Sequence, residues 1–320
     1  MNKTGRLTSR ETADWLRERD NFLILTHTRP DGDTLGSAAG LCSGLRDLDK
    51  TAYVLENPET TERYLDYVAS YLAPVDFAPD FILAVDTADA AILAKNADIY
   101  RDQVDLAIDH HPSYTGYAKY TCLEADRAAC GEVVYHVLME LSGAISAETA
   151  LPLYVALSTD TGCFAYANTT GETLQVAAAL LDAGADHRSV NKQLFRTKTK
   201  ARMALDGELY TSLRYAYGDR VAVAVVTQEL LARTGATEND LDDIAAIPGQ
   251  VEGVSVGITI KEQTDGTCKV SVRTSPGVDA NRICQKFGGG GHVMAGGCTV
   301  AASPEETVTA LLEAVGEALS

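Results

Sequence analysis

Basic charge is the first thing that this sequence lacks. Its 320 residues include 27 lysines and arginines against 45 aspartates and glutamates, which gives a net charge of −18. Proteins that bind long nucleic acids usually present a basic surface, because contacts with phosphates supply most of their affinity. We therefore expect no binding of long double-stranded nucleic acid. A short anionic substrate is compatible with this charge if metal ions or a local basic patch oppose it.

Long apolar runs and paired cysteine motifs are also absent. No apolar stretch approaches the roughly 18–20 residues that span a bilayer, and the polar first residues lack the apolar core of a signal peptide. The seven cysteines include no C-x-x-C pair, which argues against a zinc knuckle or a disulfide framework. We therefore expect a cytoplasmic protein with mostly buried thiols and no membrane partner.

The motifs of three common enzyme classes are missing as well. The sequence has no G-x-S-x-G nucleophile elbow. Its glycine runs match neither the dinucleotide-binding fingerprint nor the P-loop. Chemistry that depends on any of these motifs is therefore disfavoured.

Short apolar runs alternate with helix-like stretches up to about residue 180. We interpret five of these runs as strands: 21–27, 52–55, 81–86, 104–109 and 153–160. Strands that are buried on both faces and separated by helices predict an α/β fold with a doubly wound, mostly parallel sheet. From about residue 208 the runs 220–226, 254–260 and 267–275 predict a second, smaller α+β domain. The expected organisation is a catalytic domain over 1–185, a linker helix over 186–210 and a substrate-binding domain over 211–320.

The predicted linker carries four basic residues at steps of four, which would share one face of a continuous helix. They are Arg188, Lys192, Arg196 and Lys200. This face is either an ordinary solvated surface or a positive strip beside a cleft between domains, and the sequence leaves both interpretations open.

Four of the five predicted strands end in an aspartate or a histidine, which are residue types that can bind metals. These residues are His27, Asp86, Asp109 and Asp160, and they are accompanied by Asp31, Asp33, His110 and His111. Ligands bind at the carboxyl ends of strands in open α/β sheets, and so many carboxylates raise one another's pKa unless cations are present. Carboxylate and imidazole ligands without thiolate suit Mn²⁺ or Mg²⁺, with Fe²⁺ or Co²⁺ as alternatives. Two such metals usually share a bridging carboxylate and activate water for attack on phosphorus.

The same residues carry a family resemblance. The stretches 27–33 (HTRPDGD), 84–89 (AVDTAD), 108–113 (IDHHPS) and 158–170 (STDTGCFAYANTT) resemble the four ordered motifs of the DHH phosphoesterase superfamily. The stretches 271–275 (SVRTS) and 287–297 (FGGGGHVMAGG) resemble the signature of its accessory, DHH-associated domain. Their spacing is most similar to the NrnA-like group of bifunctional oligoribonucleases and pAp phosphatases.

The resemblance implies a role for each of these residues. His27 and Asp31 would hold one of two Mn²⁺ ions, for which Mg²⁺ or Co²⁺ could substitute. Asp33, His110 and Asp160 would hold the other, and Asp86 would bridge both. The catalytic group would comprise Asp86, Asp109, which orients its neighbour from outside the metal shell, and His111, which faces the scissile phosphate. The far end of the substrate would be held by Arg273, Gly288, Gly289, Gly290, Gly291 and His292.

The implied function is metal-dependent hydrolysis of short oligoribonucleotides of two to five nucleotides to 5′-mononucleotides, with dephosphorylation of pAp to AMP as a second activity. Alternatives are a phosphodiesterase for linear or cyclic dinucleotides such as pGpG, pApA or c-di-AMP, a RecJ-like exonuclease for single-stranded DNA, and a non-enzymatic nucleotide sensor. A homodimer is left open.

Two positions depart from the pattern of the group, and both could contact substrate. Relatives often have Arg where this chain has Ala165, and Asn where it has Tyr114. The glycine run 288–291 has two interpretations of its own. Consecutive glycines weaken regular structure, which favours a site where backbone N–H groups approach a phosphate or base. The other interpretation is a tight packing turn.

Overall fold

The computed structural model describes residues 5–319. The chain folds into two compact units that divide between Thr197 and Lys198. This divide falls inside the predicted linker over 186–210. No helix within residues 5–319 is both long and apolar enough to cross a membrane.

The first unit is built on six strands and seven α-helices. The strands are β1 Gly5–Arg6, β2 Phe22–Leu25, β3 Ala52–Val54, β4 Phe81–Val85, β5 Leu106–Asp109 and β6 Tyr120–Leu123. The helices are α1 Ser9–Arg17, α2 Gly32–Arg46, α3 Glu62–Val68, α4 Cys130–Ser142, α5 Ala147–Asp160, α6 Gly171–Asp182 and α7 His187–Asn191. Three 3₁₀ segments, Ala69–Tyr71, Ala90–Ile92 and Lys95–Gln103, and a π-helical turn, Lys192–Arg196, complete the unit.

The strands of the first unit form one sheet in the order β1-β6-β5-β4-β2-β3. Every pairing is parallel, so the predicted mostly parallel α/β sheet is confirmed. Successive side chains of a strand point to opposite faces. Phe22 and Ile24 of β2 accordingly join the core beneath the α-helices, whereas Leu23 and Leu25 pack against the segment that contains Leu93.

The run 153–160 is not a strand, and the prediction for it is wrong. These residues form the second half of α5, which begins after Ser146 and ends at Asp160. The Ser146 hydroxyl caps the helix by accepting a hydrogen bond from the Thr149 N–H (3.2 Å). Residues 152–158 are all buried, and a helix that is apolar on all sides shows the same unbroken apolar run as a strand buried on both faces.

Helix α2 packs against α5 through a row of glycines spaced four residues apart. A Cβ on Gly32 would lie 2.4 Å from the Thr159 side chain, and one on Gly36 would lie 2.4 Å from the Pro152 carbonyl oxygen. Small residues at this spacing let two helix backbones approach closely. The contact brings the beginning of α2, with the metal-type ligand Asp33, beside the end of α5, with Asp160.

The prediction of a linker helix over 186–210 is also wrong, because the helical structure of this segment is interrupted. Helix α7 and the π-helical turn end at Arg196, and Thr197 then has extended backbone (φ −99°, ψ 130°). A new helix, α8, begins at Lys200, where the Thr199 hydroxyl caps it by accepting from the Arg202 N–H (2.9 Å). The four basic residues of the predicted linker therefore do not share one face of a continuous helix.

The second unit consists of a mixed six-stranded sheet with four α-helices. Its strands are β7 Arg214–Ala216, β8 Val221–Val226, β9 Val256–Glu262, β10 Cys268–Thr274, β11 Gly290–His292 and β12 Ala295–Val300. Its helices are α8 Lys200–Thr211, α9 Gln228–Thr234, α10 Ala280–Gln285 and α11 Pro304–Leu319, with 3₁₀ segments at Glu238–Asp240 and Ile244–Gln250. The sheet order is β11-β12-β10-β9-β8-β7. Only the pairing of β8 with β9 is parallel, as expected of a smaller α+β domain.

Candidate metal centre

Two groups of potential metal ligands meet at the carboxyl edge of the parallel sheet. In the first group, His27 Nε2 lies 3.7 Å from Asp31 Oδ1 and 3.6 Å from Asp86 Oδ2. These separations are longer than hydrogen bonds. Two atoms that each bind a cation at about 2.0–2.2 Å lie roughly 3–3.5 Å apart, so the group has nearly the spacing of a coordination shell.

The second group has the same spacing around His110. Its Nε2 atom lies 3.7 Å from Asp33 Oδ2, 3.7 Å from Asp160 Oδ2 and 3.5 Å from Asp86 Oδ1. Ligand-type atoms of His27, Asp31 and Asp86, and likewise those of Asp33, His110 and Asp160, lie within 4.8 Å of one another. The structure therefore brings together all six residues predicted to hold metal.

Asp86 lies between the two groups and presents a different oxygen to each. It follows β4 directly and adopts a left-handed backbone conformation (φ 51°), which costs roughly 1–3 kcal/mol for a residue with a side chain. Its side chain is 3% exposed, and its Oδ1 atom has no hydrogen-bond partner. A buried carboxylate oxygen without a donor is unstable unless a cation compensates it. These carboxylate and imidazole donors therefore suit divalent cations, and Asp86 faces both groups.

Backbone carbonyl groups orient both histidines of this centre. The Nδ1 atom of His27 lies 2.8 Å from the Thr28 carbonyl oxygen, and that of His110 lies 3.1 Å from the Arg127 carbonyl oxygen. A carbonyl oxygen only accepts, so each Nδ1 donates a proton and each Nε2 keeps its lone pair for a metal. For His110 this orienting group is Arg127, and the side chain of the adjacent Asp109 does not contact its ring nitrogens.

Asp109 instead orients His111. Its Oδ1 atom lies 2.8 Å from His111 Nδ1 and also accepts from the backbone N–H groups of His110 (2.7 Å) and His111 (3.0 Å). Its Oδ2 atom is buried without a partner. The hydrogen bond with Asp109 raises the pKa of His111, although burial opposes it. The ring of His111 is 42% exposed, and Nε2 is the ring atom left for a ligand.

The electrostatics of the centre favour any positive charge, whether proton or metal. Burial lowers the pKa of His27, but Asp31 and Asp86 outweigh it and raise the pKa to about 11. Burial likewise lowers the pKa of His110, which Asp86 and Asp33 raise to about 10. Burial raises the pKa of Asp160 to about 6, with a further contribution from Asp86. Without metal, protons therefore occupy the positions that cations would take.

A further group of ligand-type atoms lies outside the predicted site. Glu132, His136 and Glu172 offer atoms within 4.8 Å of one another. However, the Arg127 guanidinium contacts the carboxylates of Glu132 (3.3 Å) and Glu172, so the chain itself supplies the positive charge there. His136 Nε2 lies 3.3 Å from Glu172 Oε1.

Arg127 and Glu132 were not among the predicted site residues. The available signal was Glu132 itself, a carboxylate in the first turn of α4.

The two departures from the family pattern lie in different environments. The Tyr114 hydroxyl accepts hydrogen bonds from Thr121 Oγ1 (3.0 Å) and the Ala118 N–H (3.3 Å), and its ring packs with the core on the second face of the sheet. Its hydroxyl is therefore used within the chain. Ala165 is exposed and follows three residues with left-handed backbone, at positions 162–164, just after Asp160.

In the second unit, Arg273 and His292 lie on one face of the sheet. Arg273 of β10 and His292 of β11 both pair with Ala295 of β12, which separates them. Directly paired residues of antiparallel strands point to the same side. The adjacent pairs on this face join Ser271 to Gly297 and Gly297 to Gly290. A floor of small residues therefore lies beside an exposed arginine and an exposed histidine.

Local packing accounts for part of the glycine run. A Cβ on Gly289 would lie 2.2 Å from the Gly297 carbonyl oxygen, and one on Gly291 would lie 2.3 Å from the Ala295 carbonyl oxygen. Gly288 has φ 72°. Gly290 has ample space, with Asn281 Oδ1 at 3.6 Å from an added Cβ. Close packing therefore accounts for Gly289 and Gly291 and the left-handed backbone accounts for Gly288, whereas neither reason applies to Gly290.

Comparison with known proteins agrees with these motifs. Residues 21–157 match the DHH family, N-terminal domain, and residues 218–320 match the DHHA1 domain. The bifunctional oligoribonuclease and PAP phosphatase NrnA of Thermus thermophilus is 33% identical over 301 residues, which cover 93% of this chain and 90% of that protein. The protein of the same name from Bacillus subtilis is 24% identical over 288 residues, covering 88% and 90%.

A solved structure shares the fold over both units. The exopolyphosphatase-related protein from Bacteroides fragilis has a TM-score of 0.85 and 24% identity, with coverage of 97% of this chain and 96% of that chain. This likeness concerns the fold alone.

Proposed function

Because the chain belongs to the DHH family, in which its curated relatives are hydrolases, we propose that it is a two-metal phosphoesterase. Its substrates are oligoribonucleotides of about two to five nucleotides, which it cleaves to 5′-mononucleotides, and pAp, which it dephosphorylates to AMP. The names of the Thermus thermophilus and Bacillus subtilis relatives carry both activities.

The position of Asp86 is the observation that carries this proposal. One buried carboxylate presents Oδ2 to His27 and Oδ1 to His110, and Oδ1 has no hydrogen-bond partner. Two Mn²⁺ ions held by His27, Asp31, Asp33, Asp86, His110 and Asp160 would supply neutralisation of the phosphate charge and activation of a water. Mg²⁺ or Co²⁺ suits the same oxygen and imidazole ligands.

His111 contributes a positioned proton. Asp109 holds Nδ1 at 2.8 Å and raises the pKa of the ring, so the imidazole favours its cationic form. In that form Nε2 donates a hydrogen bond to a non-bridging phosphate oxygen. The charge of the substrate and the charge developed in the transition state are both stabilised by such a donor.

The sheet face of the second unit suits a nucleotide. Arg273 provides a guanidinium that binds phosphate in a bidentate manner, and His292 provides a second polar contact. The small residues Gly290, Ala295 and Gly297 leave the floor between them low enough for a base or sugar to approach the backbone.

The proposal is tested by substituting Asp86 with Asn. Asn tolerates left-handed backbone and keeps the volume of the side chain but removes the bridging charge. We expect the Asp86→Asn protein to remain folded, to bind neither Mn²⁺ ion tightly and to lose turnover of pAp and of short RNA. Asp206→Asn is the matched control, because Asp206 is a buried carboxylate that pairs with Lys198 and Arg202 in the second unit.

Rates on pAp, pGpG, pApA and longer RNA, measured with Mn²⁺, then define the substrate. Highest activity on pAp and on RNA of a few nucleotides supports the proposal. Near-normal Mn²⁺-dependent activity of a folded Asp86→Asn protein contradicts the two-metal mechanism. Clear preference for a signalling dinucleotide would retain the mechanism and replace the substrate.

A further inference from the structure

One short segment, Arg127–Gly131, contacts two of the three ligands of the second group directly. The Arg127 carbonyl oxygen accepts from His110 Nδ1 at 3.1 Å. Three and four residues later, the N–H groups of Cys130 (2.7 Å) and Gly131 (2.9 Å) donate to the two oxygens of Asp33. These N–H groups belong to the first turn of α4, where the helix dipole favours a carboxylate.

The same segment reaches the third ligand through Asn168. The Nδ2 atom of Asn168 donates to the Ala128 carbonyl oxygen (2.9 Å) and to the Asp160 carbonyl oxygen (3.1 Å). Asn168 therefore joins the backbone of the segment to the backbone that carries the Asp160 side chain.

Side chains of three glutamates fix the segment by binding Arg127. Arg127 Nε lies 2.7 Å from Glu124, and Nη1 contacts Glu132 (3.3 Å) and Glu172. Glu132 is 1% exposed, and its Oε2 atom also accepts from the Ala128 N–H (3.3 Å). A buried carboxylate is retained only where such partners compensate its desolvation. Glu132 thus ties both the side chain of Arg127 and the backbone of Ala128.

The first group of ligands has a separate outer support. The carbonyl oxygen of Thr28 orients the His27 ring, and Asn57 Nδ2 donates to the His27 carbonyl oxygen (2.8 Å). Asp31 caps α2, where its Oδ1 accepts from the N–H groups of Asp33 (3.0 Å) and Thr34 (3.1 Å). Within residues 5–319, the Arg127–Gly131 segment makes no hydrogen bond to His27 or Asp31.

We propose that Arg127 and Glu132 are positioning residues for one of the two metal sites, the one formed by Asp33, His110 and Asp160. The Arg127–Gly131 segment fixes these three ligands, and the Arg127–Glu132 contact fixes the segment. Loss of this contact weakens that site selectively and leaves the site of His27 and Asp31 intact. The inference rests on the proposed two-metal function.

The test is a calorimetric titration of the metal-free protein with Mn²⁺ alone, for wild type and for Glu132→Gln. The amide oxygen of Gln keeps the contact with the Ala128 N–H, whereas the charge that binds Arg127 is lost. Substitution of groups that orient metal ligands typically weakens metal affinity by about 10–100-fold. We expect two sites in wild type, and in the variant one site weakened by about that factor with the other unchanged.

Two further variants keep the inference testable. Asn168→Ala changes an exposed residue, so it should fold even if Glu132→Gln does not, and it should weaken the same single site. Asp206→Asn, which neutralises a buried carboxylate beside an arginine in the second unit, should leave both sites unchanged. Electron paramagnetic resonance provides a second readout, because the coupling between adjacent Mn²⁺ ions should disappear in Glu132→Gln at metal concentrations that fill only the intact site.

The outcomes separate the inference from the function on which it rests. If wild type binds fewer than two Mn²⁺ ions, the two-metal function fails and the inference fails with it. If wild type binds two and folded Glu132→Gln and Asn168→Ala also bind two with unchanged affinity, only the inference fails. Equal weakening of both sites in these variants likewise overturns it.

Discussion

The close contact between α2 and α5 predicts that Gly36→Ala harms both stability and metal binding. A Cβ at this position would lie 2.4 Å from the Pro152 carbonyl oxygen and 2.7 Å from the Ala156 nitrogen. Carbon–oxygen contacts are normally at least about 3.3 Å. Both neighbours are backbone atoms, which cannot rotate away, so the two helices must separate by roughly 1 Å.

The size of the effect follows from two opposing contributions. Inserting a methyl group into a well-packed core costs about 1–3 kcal/mol, and the rigid neighbours place Gly36 in the upper part of that range. Alanine stabilises a helix by about 1 kcal/mol relative to glycine. The net loss in the free energy of unfolding is therefore about 1–2 kcal/mol, or about 2–8 °C in Tm for a unit of this size. Because Asp160 lies at the end of α5, its displacement should also weaken Mn²⁺ binding, by about tenfold.

Two matched substitutions make this prediction sharp. At Gly40 a Cβ would meet the Leu153 side chain, with Cδ2 at 2.5 Å. That flexible side chain can move, so Gly40→Ala should cost less than Gly36→Ala. At Gly207, inside α8, nothing lies within 4 Å of an added Cβ, and Gly207→Ala should stabilise the second unit by about 0.5–1 kcal/mol. Thermal unfolding in EDTA and Mn²⁺ calorimetry measure both effects. If Gly36→Ala is as stable as Gly40→Ala, the close approach of α2 and α5 is refuted.

Two further predictions concern protons and substrate. The pKa values of about 11 for His27 and about 10 for His110 mean that both imidazoles are protonated near pH 8 without metal. Mn²⁺ must displace both protons, so the apparent Mn²⁺ affinity should rise with pH. Calorimetry in buffers of different ionisation enthalpy should detect the release of about two protons on binding. Binding without proton release would contradict the raised pKa values of the two histidines. Arg273→Ala should raise the KM for short RNA and leave the Mn²⁺ affinity unchanged. Lys269 is an exposed cation on the same strand, and Lys269→Ala should not raise the KM. Equal effects of the two substitutions would indicate general electrostatic attraction instead of a specific contact.

Short-range sequence features were sufficient to predict which residues meet at the candidate metal centre. His27, Asp31 and Asp33 follow β2 within eight residues, and Asp86 follows β4 directly. Parallel strands end at one edge of a sheet, so the alternation of apolar runs and helices already implied that such residues meet. The ligand roles themselves stay predictions until metal binding is measured.

The fifth apolar run shows why sequence periodicity was not enough. Residues 152–158 are all buried in α5, and an unbroken apolar run is compatible with a buried helix as well as a buried strand. Asp160 therefore reaches the centre from the end of a helix. The glycines at 32, 36 and 40 were the signal in the sequence that α2 contacts a neighbouring helix closely, but their spacing does not name the partner.

The sequence by itself determined the α/β class, the two kinds of domain and the residue types of a carboxylate and imidazole centre, because these depend on local periodicity and on residues adjacent to strand ends. Only the tertiary structure decided how those residues divide into two groups that share Asp86. It also decided which carbonyl group orients His27 and which orients His110, and that Asp109 is hydrogen-bonded to His111. It also decided that Glu132, Arg127 and Asn168 fix one group from outside. These contacts join residues far apart in the chain, and their partners are selected by packing, which no local pattern records.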